Sequence, residues 1–342
     1  MLNNQDFTVN RQNFLGGSDI AAILGLSPFR TPVEVWMEKT GKSKNQLDSL
    51  PLRFGSFAES FIASEYAKAT GFTTLGQDTA IVHPRHDFLR AHIDRLVITK
   101  GATSQANDLK EDSLEDIFPV SALQNKSSLE NARPKVGLLA DRLLECKTAN
   151  PFCQQEWGET GTDQVPLHYL CQCAWYLALT EMQQIDLAVL FGNSDFRIYH
   201  IERDIELEAT LLEQAIHFWE QHVLLDKPPA AKNQEDYKQL FSKECPNQSI
   251  EASQTTIQLL YSYPELLSQA QAIESQIDEV KQAVMGEMQH ADILLYQGRT
   301  VATWKSPKPS QRFDQKTFEK NYPKLYQEHQ IFTPNTRRLL IK

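Results

Sequence analysis

Asp94 stands in an otherwise apolar run, AHIDRLVI, and Glu145 and Lys147 lie two residues apart in LLECKT. In a strand, positions i and i+2 share a face, so Glu145 and Lys147 fall together with Cys146 opposite. A buried carboxylate is costly unless it is paired or binds a cation. Two carboxylates on adjacent strands, with a lysine on the same face, suit one or two Mg2+ ions, because hard cations prefer oxygen ligands. The lysine can then orient or deprotonate a water for in-line attack on a phosphodiester. Taken alone, Glu145 and Lys147 also read as a surface ion pair. Glu59, near Gly55 on a helix, reads alone as a solvated carboxylate. Gln172, on the helix after Glu-x-Lys, reads alone as an ordinary polar residue.

These residues must be carried by identifiable elements. Residues 18–25, SDIAAILG, read as a short helix with Ser18 as N-cap and Gly25 as its stop. PVEVWMEKTG gives a second, with Pro32 in its first turn and Gly41 at its end. Residues 54–71 give a third, with Phe57, Phe61, Ile62 and Tyr66 on its buried face and Gly71 closing it. AIVH (80–83), FLRAHIDRLVIT (88–99) and GLLADRLLECKT (137–148) read as strands. Between the last two, residues 100–136 are polar and rich in Ser, Asn and Asp, a surface insertion between paired strands.

Further on, 165–180 is helical, and 183–192 with 196–203 form a hairpin turned by Asn193, Ser194 and Asp195. A helix spans about 204–225, and KPPA (227–230) breaks the chain. A long helix covers about 254–290, its apolar face read as packing on its own domain rather than as an interaction coil. A strand in ILLYQGRTVATWK and a basic segment follow. The order predicts an α/β (α+β) fold with a central mixed β-sheet flanked by helices. It divides into a core over 1–230 and, over 231–342, a long helix and C-terminal extension packed on that core.

The 342 residues are 41% hydrophobic and 23% charged, enough to build a core and too few charges for disorder throughout. The polar N-terminus lacks a signal-peptide core, and no run of about 18 apolar residues suggests a membrane span. Five scattered cysteines argue against a disulfide scaffold, so a reduced, cytoplasmic protein is expected. The net charge of −10 excludes a protein that coats nucleic acid by bulk charge. Residues 299–342 nevertheless carry ten basic and three acidic side chains, which makes that segment a local basic patch.

Taken together, Glu59, Asp94, Glu145-x-Lys147 and Gln172 resemble the PD-(D/E)XK nuclease superfamily, whose core is restriction-endonuclease-like. The block LGGSDIAAILGLSPFRTPVEVWMEKTGK (15–42) is similar to the opening of the YqaJ viral recombinase family, related to phage lambda exonuclease. Gly55-x-x-x-Glu59, HIDRLV, LLECKTA and VPLHYLCQCAWYLALT match its successive motifs, the last with Tyr169, Gln172 and Tyr176.

The resemblance implies a Mg2+-dependent 5′→3′ exonuclease acting on double-stranded DNA ends, with Mn2+ as a substitute. It would leave 3′ overhangs for phage-type recombination beside a single-strand annealing protein, and homotrimers occur among such enzymes. It implies Asp94 and Glu145 as metal ligands and Glu59 as a metal or second-layer ligand. Lys147 would position the water, and Gln172 would support Lys147 or the substrate phosphate. Arg11, seven residues before Ser18, has the spacing that contacts a terminal 5′-phosphate in lambda-type enzymes. Lys305, Arg337 and Arg338 would hold backbone phosphates.

Two departures stand out: the insertion, and Asp94-Arg95 where Asp-Gly is commoner, with Arg95 expected to face away. A structure-specific or restriction-like endonuclease, or a non-catalytic DNA-end-binding module, are the rival readings. The cysteines suit core or surface positions better than an iron–sulfur cluster, and the histidines lack zinc spacing.

Overall fold

Strand-forming residues with period-2 burial dominate the middle of the chain, and they build the sheet that carries the site. The computed structural model describes residues 11–43, 49–76, 80–99, 140–331 and 337–341. The chain divides into two units, Met1–Leu240 and Phe241–Lys342.

The first unit opens with a 3-10 turn at Arg11–Asn13, then α1 (Gly17–Ile23), α2 (Pro32–Lys39) and α3 (Leu50–Thr70). Strands β1 (Thr73–Gly76), β2 (Ile81–His83), β3 (His86–Ala91), β4 (Arg95–Ile98) and β5 (Arg142–Ala149) follow. After a 3-10 turn at Pro151–Glu156 come α4 (Leu167–Thr180), β6 (Gln184–Phe191), β7 (Asp195–Glu202), α5 (Ile205–Phe218) and α6 (Gln234–Leu240).

Five strands form one mixed sheet in the order β1-β4-β5-β6-β7. All neighbours are antiparallel except β5 and β6. Parallel neighbours need a crossover connection, and α4 supplies it. The buried apolar run of β6 fits a strand covered on both faces. β2 and β3 form a separate hairpin.

The sheet is sandwiched between helices. On one face Ala58, Ile62, Ala63 and Tyr66 of α3 pack on Val97, Leu144, Cys146 and Ala188. On the other, α1, α4 and α5 cover Leu143, Leu187 and Val189, with Trp175 fully buried at the centre. The fold class expected from the sequence is therefore the one observed.

Several local expectations change. Helix α1 is capped by Gly16, not Ser18: the Asp19 carboxylate accepts from the Gly16 N–H at 3.1 Å, and Ser18 is left exposed. Phe57 and Phe61 are exposed, 81% and 54%, because the small Ala58 and Ala63 face the sheet and let α3 approach it closely. Segment 88–99 is not one strand but two, β3 and β4, broken at a bend that holds Asp94. β1 was not anticipated: after the left-handed Gly71 (φ 69°) its four residues are too few to show a period. The C-terminal strand is a hairpin, β8 (Ile293–Tyr296) with β9 (Arg299–Thr303), reversed at Gln297 and Gly298, both at positive φ.

The predicted insertion, 100–136, lies outside the described residues. Its stem is described: β4 pairs antiparallel with β5, and Thr99 donates its N–H (2.6 Å) and hydroxyl (2.8 Å) to Asp141.

The second unit holds α7 (Gln254–Met288), then β8 and β9, then α8 (Gln315–Asn321) and α9 (Pro323–Glu328). Among the described residues no helix is long and apolar enough to cross a membrane.

Candidate active site

Strand β5 sets the site. Its alternation sends Leu144 and Cys146 toward α3 and sends Glu145 and Lys147 toward α4. The β4–β5 ladder ends at Arg95↔Leu144, so the amide of Cys146 has no strand carbonyl opposite it. The Asp94 carboxylate fills that place, its Oδ2 accepting from the Cys146 N–H at 2.8 Å. The strand break at Asp94 is thus what brings a second carboxylate beside Glu145.

Glu145 is buried, with 2% of its side chain exposed. Its Oε1 accepts from Gln172 Nε2 at 2.6 Å and from the Lys147 ammonium. Gln172 Nε2 also donates to the Tyr176 hydroxyl at 2.7 Å. Glu145 Oε2 is buried and has no hydrogen-bond partner. Burial, and then the neighbouring Asp94 charge, push Glu145 up to about 8, against the pull of Lys147. Burial acts to lower Lys147, but Glu145 and Asp94 outweigh it and raise it above the ordinary lysine value.

Two adjoining carboxylates, one with a buried oxygen that lacks a partner, are the donor set a hard divalent cation needs. The residues therefore fit the ion that the sequence led us to expect. Among the described residues no group of three or more His, Cys, Asp or Glu side chains gathers to hold a metal. Asp94 and Glu145 are the two residues that would hold such an ion.

Glu59 is placed elsewhere. Arg95 pairs with Leu144 and so shares its face, toward α3, away from Glu145. There its guanidinium bonds Glu59 Oε1 at 2.6 Å. Arg95 does face away, as expected, and its partner is the carboxylate expected near the metal.

Helix α1 closes the other side. A Cβ on Gly17 would lie 2.8 Å from the Tyr176 ring and 3.0 Å from Gln172 Cγ. Only glycine lets α1 sit against α4 at the level of Gln172. Gly17→Ala is expected to displace Gln172 from Glu145 and destabilise the unit by about 1–3 kcal/mol, the usual cost of overpacking. Thermal melts and turnover measured together check it; wild-type values for both would contradict the close approach.

Next to Gly17, Ser18 Oγ accepts from Arg11 Nη2 at 3.3 Å. The sequence-predicted pair is therefore in contact. Beneath it lies a charge cluster that the sequence reading did not identify. Buried Asp19 bonds Lys39 Nζ at 2.9 Å and Arg30 Nη1 at 2.9 Å, and Glu38 meets Arg30 and Arg11. Lys39 Nζ also donates to the Arg11 carbonyl at 2.9 Å, fixing the backbone there. Burial acts to raise Asp19, but Lys39, Arg30 and Arg11 outweigh it and hold it well below the usual carboxylate range. Three cations face two anions, leaving one positive charge in excess. The available signal was a lone Asp inside the apolar run SDIAAILG, which needs buried partners.

In the second unit Lys305 lies 3.5 Å from Asp292, Arg337 donates to the Phe241 carbonyl at 3.0 Å, and Arg338 is exposed.

Comparison with known proteins adds an independent observation. The family model described as "YqaJ-like viral recombinase domain" matches residues 6–183. "Uncharacterized protein YqaJ" of Bacillus subtilis (strain 168) is 26% identical over 334 residues, covering 96% of this chain and 91% of that protein. Among solved structures, an alkaline exonuclease (LHK-Exo) from Laribacter hongkongensis is similar at 15% identity and a TM-score of 0.45, covering 66% of this chain and 94% of that one. A phage related exonuclease from Haemophilus somnus 129PT is similar at 10% identity and a TM-score of 0.37, covering 62% and 95%.

Proposed function

Because the chain belongs to the YqaJ-like viral recombinase domain family, whose match spans residues 6–183, we propose that it is a Mg2+-dependent deoxyribonuclease. It degrades duplex DNA ends 5′→3′ and leaves 3′ single-strand overhangs for recombination. The observation that carries this reading is the partly buried Asp94 beside the buried Glu145 with its unpartnered oxygen, flanked by Lys147 and Gln172.

Asp94 and Glu145 would hold the cation, with Mn2+ able to replace Mg2+. Once bound, it supplies charge neutralisation at the phosphate and an acidified water. Gln172 fixes Glu145 Oε1 and so leaves Oε2 free for that role. Lys147 is held protonated by the carboxylates, which suits a donor that positions the attacking water. Arg11 and Ser18 would grip a terminal 5′-phosphate, since a guanidinium offers two hydrogen bonds to one phosphate. Lys305, Arg337 and Arg338 would hold backbone phosphates without reading bases, so binding falls steeply with salt. The exposed 3′ strand must then be paired, the task of a single-strand annealing protein.

A linear duplex labelled separately at its 5′ and 3′ ends, beside a closed circle, tests the reading. Release from 5′-phosphorylated ends with Mg2+ but not with EDTA, and an intact circle, are expected. Arg11→Ala should reduce the preference for phosphorylated over hydroxyl 5′ ends by about 10–100-fold, the worth of a charged hydrogen bond. Cutting of the circle would make the protein an endonuclease. Absence of hydrolysis by folded, metal-loaded protein would make it a binding module.

A further inference from the structure

Phe29 is an apolar ring held outward on a braced loop. It lies between α1 and α2 and is 73% exposed. Ser27 Oγ accepts from the Phe29 and Arg30 N–H groups at 3.2 and 3.3 Å. Thr31, the cap of α2, donates its hydroxyl to buried Asp236 at 2.7 Å. Between them the Arg30 guanidinium bonds Asp19 and Glu38. The loop around Phe29 is thus fixed by polar contacts, and burial of the ring is not what fixes it.

Two sets of neighbours place the ring. Through Arg30 it is tied to the Arg11–Ser18 pair: Arg30 bonds Asp19, the residue after Ser18, and shares Glu38 with Arg11. On its other side the Phe29 ring meets the His168 ring edge-on, with centroids 5.4 Å apart at 87°. His168 lies four residues before Gln172, one turn away on the same face of α4. Burial holds His168 below the ordinary histidine value; Glu156 opposes that shift, and the nearby Lys147 charge adds to it. All of these residues belong to the first unit. Phe29 is therefore joined at one end to the residues proposed for the terminal 5′-phosphate and at the other to those beside the scissile phosphate. Those are the two phosphates that flank one nucleotide. A terminal nucleotide cut away from an intact partner strand must leave its base pair, and its base then loses stacking. An aromatic side chain restores that stacking without reading the base.

We infer that Phe29, braced by His168, is the platform on which the base of the 5′-terminal nucleotide stacks. The choice of that nucleotide rests on the reading of Arg11 and Ser18 as the 5′-phosphate site.

Equilibrium binding of DNA by the full chain in EDTA, where no hydrolysis intervenes, tests it. The probes are two duplexes ending in one unpaired, 5′-phosphorylated nucleotide, which carries its base in one and is abasic in the other. The wild type should bind the abasic duplex about 5–150-fold more weakly, the worth of one stacked base. Phe29→Ala should bind the complete duplex as weakly as the wild type binds the abasic one, and should lose nothing more on the abasic one. Phe29→Trp should restore the difference. Phe29 is exposed, so both variants should melt like the wild type. The same duplexes with a 5′-hydroxyl read the Arg11–Ser18 site separately: a base effect without a phosphate effect would remove that reading and keep the platform. Equal wild-type affinity for the two duplexes, a base effect that survives Phe29→Ala, or no binding of either duplex would each overturn the inference.

Discussion

Glu145→Gln and Lys147→Ala each leave a folded protein whose hydrolysis of duplex DNA falls by about 10³-fold or more. Glutamine keeps the shape of Glu145 and can still accept from Gln172 and Lys147, so packing survives. It removes the charge that would hold a cation, and Lewis-acid stabilisation is worth several kcal/mol, or about three powers of ten in rate. Removing Lys147 leaves the buried Glu145 without its counter-charge. Such a loss usually costs about 3–5 kcal/mol. Here Glu145, already pushed up to about 8, can take a proton near neutrality and so avoid most of that cost. Single-turnover digestion of an end-labelled duplex, with melting curves for each variant, measures both halves. Wild-type turnover in either folded variant would remove these residues from the site.

The sequence was legible where chemistry constrains residue type. Buried charge in an apolar strand needs a partner, so Asp94, Glu145 and Lys147 stood out, and Gln172 was found facing them. The mixed sheet and its crossover followed from strand runs around a helix. What stayed hidden depended on contacts between distant segments. No local pattern says that Asp94 sits at a strand break, because only the β5 amide it satisfies makes that break favourable. Phe57 and Phe61 obey the helical period, yet the face that packs is the one with alanines, since close approach to a sheet rewards small side chains. Nothing in the residues around Gly17 shows that the Tyr176 ring, far along the chain, packs against it. The Asp19–Arg30–Lys39 cluster joins residues from the first two helices and the loop between them. Their pairing cannot be told from ordinary surface charge without the fold.

Without a divalent cation, the contribution of Glu145 to stability falls as the pH rises from about 5 to about 8.5. Glu145 titrates at about 8 when folded, against an ordinary value of 4.5. The folded state therefore favours the protonated carboxyl. That contribution is fully present below about 4.5 and disappears as the pH passes through about 8. That value already includes the pull of Lys147, so the shift is worth up to about 5 kcal/mol, at about 2–4 °C of melting temperature per kcal/mol for a unit of this size. Glu145→Gln cannot ionise, so in EDTA its profile should be flatter and at pH 8 it should melt above the wild type. Adding Mg2+ should reverse that order. The ion binds the ionised carboxylate and stabilises the wild type increasingly with pH, whereas the glutamine variant gains little. The difference between the two proteins isolates Glu145 from every other titrating group. Equal slopes in EDTA would mean that Glu145 is not a strained acid. Equal stabilisation by Mg2+ would mean that the ion binds elsewhere. If both differences appear, Glu145 destabilises the empty fold because its carboxylate is kept for a cation.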